Sequence, residues 1–216
     1  MNLRTLLAPP LASHIDITSE EFARNREDML DQLAVIEELL DQANAGGGQE
    51  ATERLRSRGK MPIRERIANV LDPDSPFLEI SPLAAYNSDY AIGGGFIVGI
   101  GVIADTECVI LGNDPTVQAG AMTPYVVKKW MRSLEIARDN HIPYVSFVES
   151  AGADLNVRTG DRNSSRQRSN TTPVGGGQQL GHFAESGGFF YEMIELSKLA
   201  IPTVCVGILL CFHHET

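Results

Sequence analysis

Two β-rich runs lie almost end to end in this chain. Gly95-Phe96-Ile97-Val98-Gly99-Ile100-Gly101-Val102-Ile103 and Glu107-Cys108-Val109-Ile110-Leu111-Gly112 are separated only by Ala104-Asp105-Thr106. Such a density of β-branched residues around so short a connector predicts a tight antiparallel hairpin. The segment after the hairpin narrows the fold further. Thr123 to Asn140 carries helical patterning, with Val126, Val127, Trp130, Leu134 and Ala137 on one side and Lys128, Arg132 and Arg138 on the other. It leads directly into the strand-like Ile142 to Val148. A second helix from Phe183 to Leu199 leads into Ile201 to Val206. The order hairpin, helix, strand, loop, helix, strand predicts an α/β layer with two strand-ending loops.

The chain ahead of the hairpin reads as helical. Ser19-Glu20-Glu21-Phe22 opens an amphipathic stretch with Met29, Leu33, Ile36, Leu39 and Leu40 at helical spacing, predicted to end near Asn44. Gly46-Gly47-Gly48 breaks it, and a second helix runs to Arg58, where Gly59 stops it. Residues 18 to 58 are thus expected to form a helical hairpin outside the main fold. Pro62 to Leu71 reads as a short helix ended by Asp72-Pro73, followed by a short strand-like Phe77 to Ile80. The expected organisation is an N-terminal helical extension over 1–60 and a main domain over 61–216.

A formal net charge of -10 argues against a nucleic-acid partner, whose affinity would need clustered cations. Cys108, Cys205 and Cys211 show no metal or disulfide spacing and read as core thiols in a reducing compartment. The first fifteen residues lack the apolar core of a secretory signal, and the apolar run from Ile201 to Phe212 is shorter than the roughly 20 residues a membrane span needs. A cytoplasmic protein without membrane association is the expectation.

Several motifs carry candidate chemistry. Gly99-Ile-Gly101-Val-Ile-Ala104 has the spacing of a dinucleotide-binding turn, but it leads into a second strand instead of a helix, so it reads as close-packed sheet glycine. His213-His214-Glu215 holds ligating residue types without helical spacing or a third ligand, and reads as a tail, with no metal expected. Arg54, Arg56, Arg58, Lys60, Arg64 and Arg66 form a basic cluster suited either to ion pairs with Glu53 and Glu65 or to a phosphorylated ligand. Glu149-Ser150-Ala151-Gly152-Ala153-Asp154 follows an apolar strand, where α/β sheets place ligand crevices, and its small residues admit close approach to main-chain amides. From Asp154 to Gly181 apolar periodicity is lost, and a disordered loop is expected.

Together the motifs are more specific than singly. Arg58-Gly59-Lys60-Met61-Pro62-Ile63-Arg64-Glu65-Arg66-Ile67, followed by Leu71-Asp72-Pro73-Asp74-Ser75-Pro76-Phe77-Leu78-Glu79, resembles the opening segment of biotin-dependent carboxyltransferase subunits of the methylcrotonyl-CoA and propionyl-CoA types. Gly94-Gly95, Asn113 to Gly120, Lys128-Lys129, Glu135-Ile136-Ala137, Ile142-Pro143, Glu149 to Ala153 and Ile201 to Val206 continue the resemblance in the same order.

The resemblance implies an α/β, crotonase-like (ClpP/crotonase) fold of stacked ββα units, truncated here and preceded by the helical hairpin. It implies transfer of CO2 from a carboxylated biotin, held on a carrier partner, to the α-carbon of an acyl-CoA, with main-chain amides stabilising both enolates and no side-chain nucleophile. The expected partners are a biotin carboxylase and biotin carrier subunit and further copies of the chain. By the same resemblance Ser150, Ala151, Gly152 and Ala153 would line the acyl-CoA pocket, Ala119, Gly120 and Ala121 its neighbouring wall, and Lys60 and Arg64 would lie near CoA phosphate. No residue is expected to be catalytic. After Val206 the family pattern gives way to Gly207-Ile208-Leu209-Leu210-Cys211-Phe212, which suggests a truncated, inactive product. A non-catalytic acyl-CoA-binding or assembly module and a hydratase-like crotonase relative are the alternatives.

Overall fold

The computed structural model describes residues 13–152 and 187–207. Along them run α1 (Glu20–Ala45), α2 (Gly48–Ser57), α3 (Ile63–Val70), β1 (Leu78–Glu79), β2 (Phe96–Ile103) and β3 (Thr106–Asn113). A 3-10 turn (Gln118–Gly120), α4 (Pro124–Asn140), β4 (Tyr144–Val148), α5 (Gly188–Lys198) and β5 (Thr203–Gly207) complete the order. The expected loop from Asp154 to Gly181, the start of the second helix at Phe183, Cys211 and His213-His214-Glu215 lie outside the described residues.

The strands form one mixed sheet in chain order, β1-β2-β3-β4-β5. β1, β2 and β3 pair antiparallel, whereas β3–β4 and β4–β5 are parallel and are joined through helices. The β2–β3 hairpin closes on two residues, Ala104 and Asp105, both with positive φ as such a connector requires. Its strained turn is held from outside: the Asp72 carboxylate accepts from the Ala104 amide at 2.8 Å and the Asp105 amide at 2.7 Å. The Asp-Pro that stops α3 therefore also caps the hairpin.

Alternation along β2 and β3 builds two cores. Phe96, Val98, Val109 and Leu111 face Val126, Leu134 and Ala137 of α4 and Leu196 of α5. Ile97, Cys108 and Ile110 face Ile63 and Ile67 of α3 on the other side. Helices on both faces explain why the strands read as nearly continuous apolar runs. Gly99 leaves room for Phe77, whose Cζ would lie 2.3 Å from an added Cβ, and Gly101 does the same for Leu71. The two glycines are close-packed in the sheet, as their hairpin context indicated.

Helix α4 starts where Thr123 Oγ1 accepts from the Val126 amide at 3.3 Å and Pro124 occupies the first turn, and it stops at His141 in the left-handed region. Two polar residues depart from its apolar face. Ser133 is buried and donates to the Trp130 carbonyl at 2.6 Å beside the Tyr144 hydroxyl, which burial pushes well above its ordinary pKa. Lys129 is buried as well, its Nζ donating to the carbonyls of Gly93 (3.1 Å) and Phe96.

The chain falls into two compact units, Met1–Glu38 and Leu39–Thr216. In the first, Ser19 Oγ accepts from the Phe22 amide at 3.1 Å and starts α1. The second contains the α1–α2 turn, where Gly47 donates to Thr116 Oγ1 at 3.0 Å. The cysteines divide: Cys108 is buried, but Cys205, expected in the core, is exposed. The reason is its strand. β5 is the last strand of the sheet among the described residues, and all five of its residues are open to solvent.

Candidate functional site

Neighbouring strands β3 and β4 run parallel, so the loops at their C-terminal ends emerge side by side. The loop after β3 climbs through Asp114, which accepts from the Thr116 amide at 2.9 Å, into the 3-10 turn. There Gln118, Ala119 and Gly120 all have positive φ. The loop after β4 is Glu149 to Gly152. The two loops are stitched by main-chain bonds: Ala151 N donates to Ala119 O at 3.0 Å and Met122 N to Gly152 O at 2.8 Å. Asn113 Nδ2 adds a buried bond to the Gly120 carbonyl at 3.1 Å. Gly120 is indispensable here, because a Cβ at that position would meet the Glu149 carbonyl oxygen at 2.2 Å.

The structure thus brings Ala119, Gly120 and Ala121 together with Ser150, Ala151 and Gly152. Ala153 lies outside the described residues. Two amides of the loop are already engaged, Ala151 N with Ala119 and Gly152 N with Ser150 Oγ at 3.1 Å. In this arrangement they brace the loops and are not aimed at a ligand oxygen.

The basic cluster separates into two groups. Lys60 Nζ donates to Glu149 Oε1 at 2.6 Å, and Arg66 donates to Glu149 Oε2 at 2.9 Å. Glu149 is 1% exposed, an ion buried between two cations contributed from more than 80 residues away. Arg64 grips Glu79 through two bonds of 2.7 and 3.1 Å. Arg56 pairs with Glu65, one of the two acids expected to serve the cluster; the other, Glu53, accepts instead from Gln49 at 2.7 Å.

Arg54 and Arg58 behave differently. With Leu55 they form one wall of an open cleft of about 310 Å³, whose other wall is Thr116, Gln118 and Ala119. Arg54 bonds only the fully solvated Glu50 at 3.1 Å, and Arg58 has no ion pair among the described residues. The cleft therefore runs from two exposed guanidinium groups, one of them paired with the solvated Glu50, to the stitched loops. Among the described residues no cluster of three or more His, Cys, Asp or Glu is arranged to hold a metal.

A family model described as the carboxyl transferase domain matches residues 54–169, the stretch that supplies the cluster, the hairpin and both loops. The chain belongs to the carboxyl transferase domain family. It is 37% identical over 196 residues to a probable biotin-dependent acyl-coenzyme A carboxylase beta2 subunit of Mycobacterium tuberculosis, covering 91% of this chain and 33% of that protein. It is 41% identical over 148 residues to the probable mitochondrial methylcrotonoyl-CoA carboxylase beta chain of Drosophila melanogaster, covering 67% of this chain and 26% of the relative. Among solved structures it superposes on the beta subunit of the P. aeruginosa geranyl-CoA carboxylase with a TM-score of 0.72 at 34% identity, covering 91% of this chain and 34% of that one. The fold is the crotonase-like fold of these carboxyltransferases. The chain spans about a third of the length of the relatives it matches.

The sequence marked Glu149 to Asp154 as a strand-ending run of small residues and Ala119 to Ala121 through the family resemblance, and the structure sets the described parts of the two stretches side by side. Sequence reasoning missed the two ion pairs of Glu149 and the exposed position of Arg54 and Arg58 on the cleft, since neither has a local signal. Only the fold shows which cations are spent on carboxylates.

Proposed function

We propose that this chain forms the acyl-CoA side of a carboxyltransferase that moves CO2 from carboxybiotin to the α-carbon of an acyl-CoA thioester. The observation that carries the reading is the cleft, which joins Arg54 and Arg58 to the loop containing Ala119. Its lining, basic at α2 and small at the loop, suits a CoA ester with its phosphates towards α2 and its thioester towards the loops. Phosphate contact is assigned to Arg58 and Arg54 in place of Lys60 and Arg64, which are committed to Glu149 and Glu79. A planar, permanently charged guanidinium suits phosphate oxygens well.

Ala119 to Ala121 and Ser150 to Gly152, continuing into Ala153, would form the acyl wall. Small residues there let a thioester approach the main chain closely, while the engaged amides of Gly120, Ala121, Ala151 and Gly152 keep the two loops in place. Biotin, when presented by a carrier partner, supplies the CO2; this chain holds and orients the acceptor. Glu149 does not suit the general base of a hydratase-like reaction, because two cations hold its carboxylate inside the protein. Partnership with a biotin carboxylase and carrier subunit, assembly with further copies of itself, and a cytoplasmic location belong to the same proposal. Among the described residues no helix is long and apolar enough to cross a membrane.

Isothermal titration of propionyl-CoA and free CoA into the purified chain tests the reading. Saturable binding is expected, weakened about 10-fold by Arg58→Ala, the usual loss for a charge-assisted bond. Absence of binding by the folded wild type, or equal affinity in Arg58→Ala, would reject the assignment.

A further inference from the structure

Glu149 occupies an unusual junction. Its side chain is buried and receives Lys60 from the α2–α3 connection and Arg66 from α3, at 2.6 and 2.9 Å. Its main-chain carbonyl occupies the space that a Cβ on Gly120 of the opposite loop would need. Its C-terminal neighbour is Ser150, so the residue is the root of the segment that Ala119 and Met122 stitch down. Lys60 follows Arg58, which lines the cleft, by two residues. A single carboxylate therefore ties the helix that bears the basic wall to the loop expected to seat the thioester.

A buried ion pair is a weak source of stability but a strong geometric constraint. Each of its two oxygens must stay aligned with one cation, and any rotation of the loop root breaks both bonds. Small residues on either side add no packing of their own to fix the loop. We propose that Glu149 is a positioning residue: through Lys60 and Arg66 it sets Ser150 to Gly152 against Ala119, and so sets the acyl seat relative to the phosphate-binding wall. This rests on the acyl-CoA reading above. It adds that the two ends of the ligand site are mechanically coupled through one ion triad.

The test uses the ¹⁵N-labelled chain and two variants. In Glu149→Gln, which keeps the volume but cannot satisfy two cations, amide exchange at Ala151 and Met122 should accelerate about 10-fold or more, while Val109 in the sheet keeps its protection. Propionyl-CoA should bind about 10-fold more weakly, with a smaller loss for free CoA, which lacks the acyl group. In the triple variant Glu149→Gln, Lys60→Met, Arg66→Met, which removes every buried charge, thermal stability should return towards wild type while Ala151 stays unprotected. Wild-type protection of Ala151 in either variant would overturn the positioning role and leave the triad as a stabilising feature only. If the wild type binds neither CoA nor propionyl-CoA, the acyl-CoA reading falls, and the exchange data still decide whether Glu149 positions the loop.

Discussion

Lys129 shows how much a single side chain can hold in place. Its ammonium is buried under the turn that launches β2, satisfied by the carbonyls of Gly93 and Phe96, and desolvation lowers its pKa to about 8, with Glu79 opposing that shift. Because the folded value lies below the ordinary lysine value of 10.5, the unfolded chain holds the proton more tightly. Burial of the charge therefore costs stability most fully below pH 8, and the cost declines as pH rises from 8 towards 10.5. Relative to Lys129→Met, the wild type should gain on the order of 2 kcal/mol between pH 7 and pH 9.5, measured by urea unfolding of both proteins. A pH-independent difference would contradict the burial of a charged lysine. At this scale the sequence was legible where small residues are adjacent, as in Ser150-Ala151-Gly152, which the structure places in the loop after β4 against Ala119. It was not legible for Lys129, which occupies an apolar helix face yet is the residue type expected to point outward.

The elements followed their local signals closely because those signals agree with one another. Thr123 and Pro124 start α4, and the β-branched runs and two-residue turn make the β2–β3 hairpin. One inter-element link was invisible: Asp72 looks like a helix stop, but its carboxylate caps the hairpin turn across more than 30 residues of chain. Asp72→Ala would leave two amides in a positive-φ turn without their acceptor. We expect a loss of about 1–2 kcal/mol, read as a lower urea midpoint with unchanged slope, and faster amide exchange confined to Ala104 and Asp105. An unchanged midpoint would mean that water replaces the carboxylate at no cost.

At the scale of the whole molecule, the sheet of the described residues ends in a very short strand on one side and an exposed one on the other. β1 is a two-residue edge, too short to template another strand, whereas β5 exposes Val204 and Val206, with Phe190, Tyr191 and Ile194 of α5 also exposed. An apolar edge strand of this kind favours association. Sedimentation of the purified chain should show mass rising with concentration, and Val204→Lys with Val206→Lys should shift it towards monomer. Monomeric behaviour of the wild type at all concentrations would show that this edge is inert. The segment Ile201 to Val206 announced a strand, but its apolar character announced a buried one. Periodicity describes the strand itself and not what lies beside it, so the exposure of Cys205 was out of reach.

The separation of Lys60 from Glu149 by 89 residues has a kinetic meaning as well. The β2–β3 hairpin and α4 are local and can form in microseconds, before the chain ends have found each other. The proposed ligand site needs this long contact, so it should mature after the hairpin and α4 during refolding. A chain emerging from the ribosome would keep both cations in water until Glu149 arrives, so they are among the last charges of the α2–α3 region to find their partner.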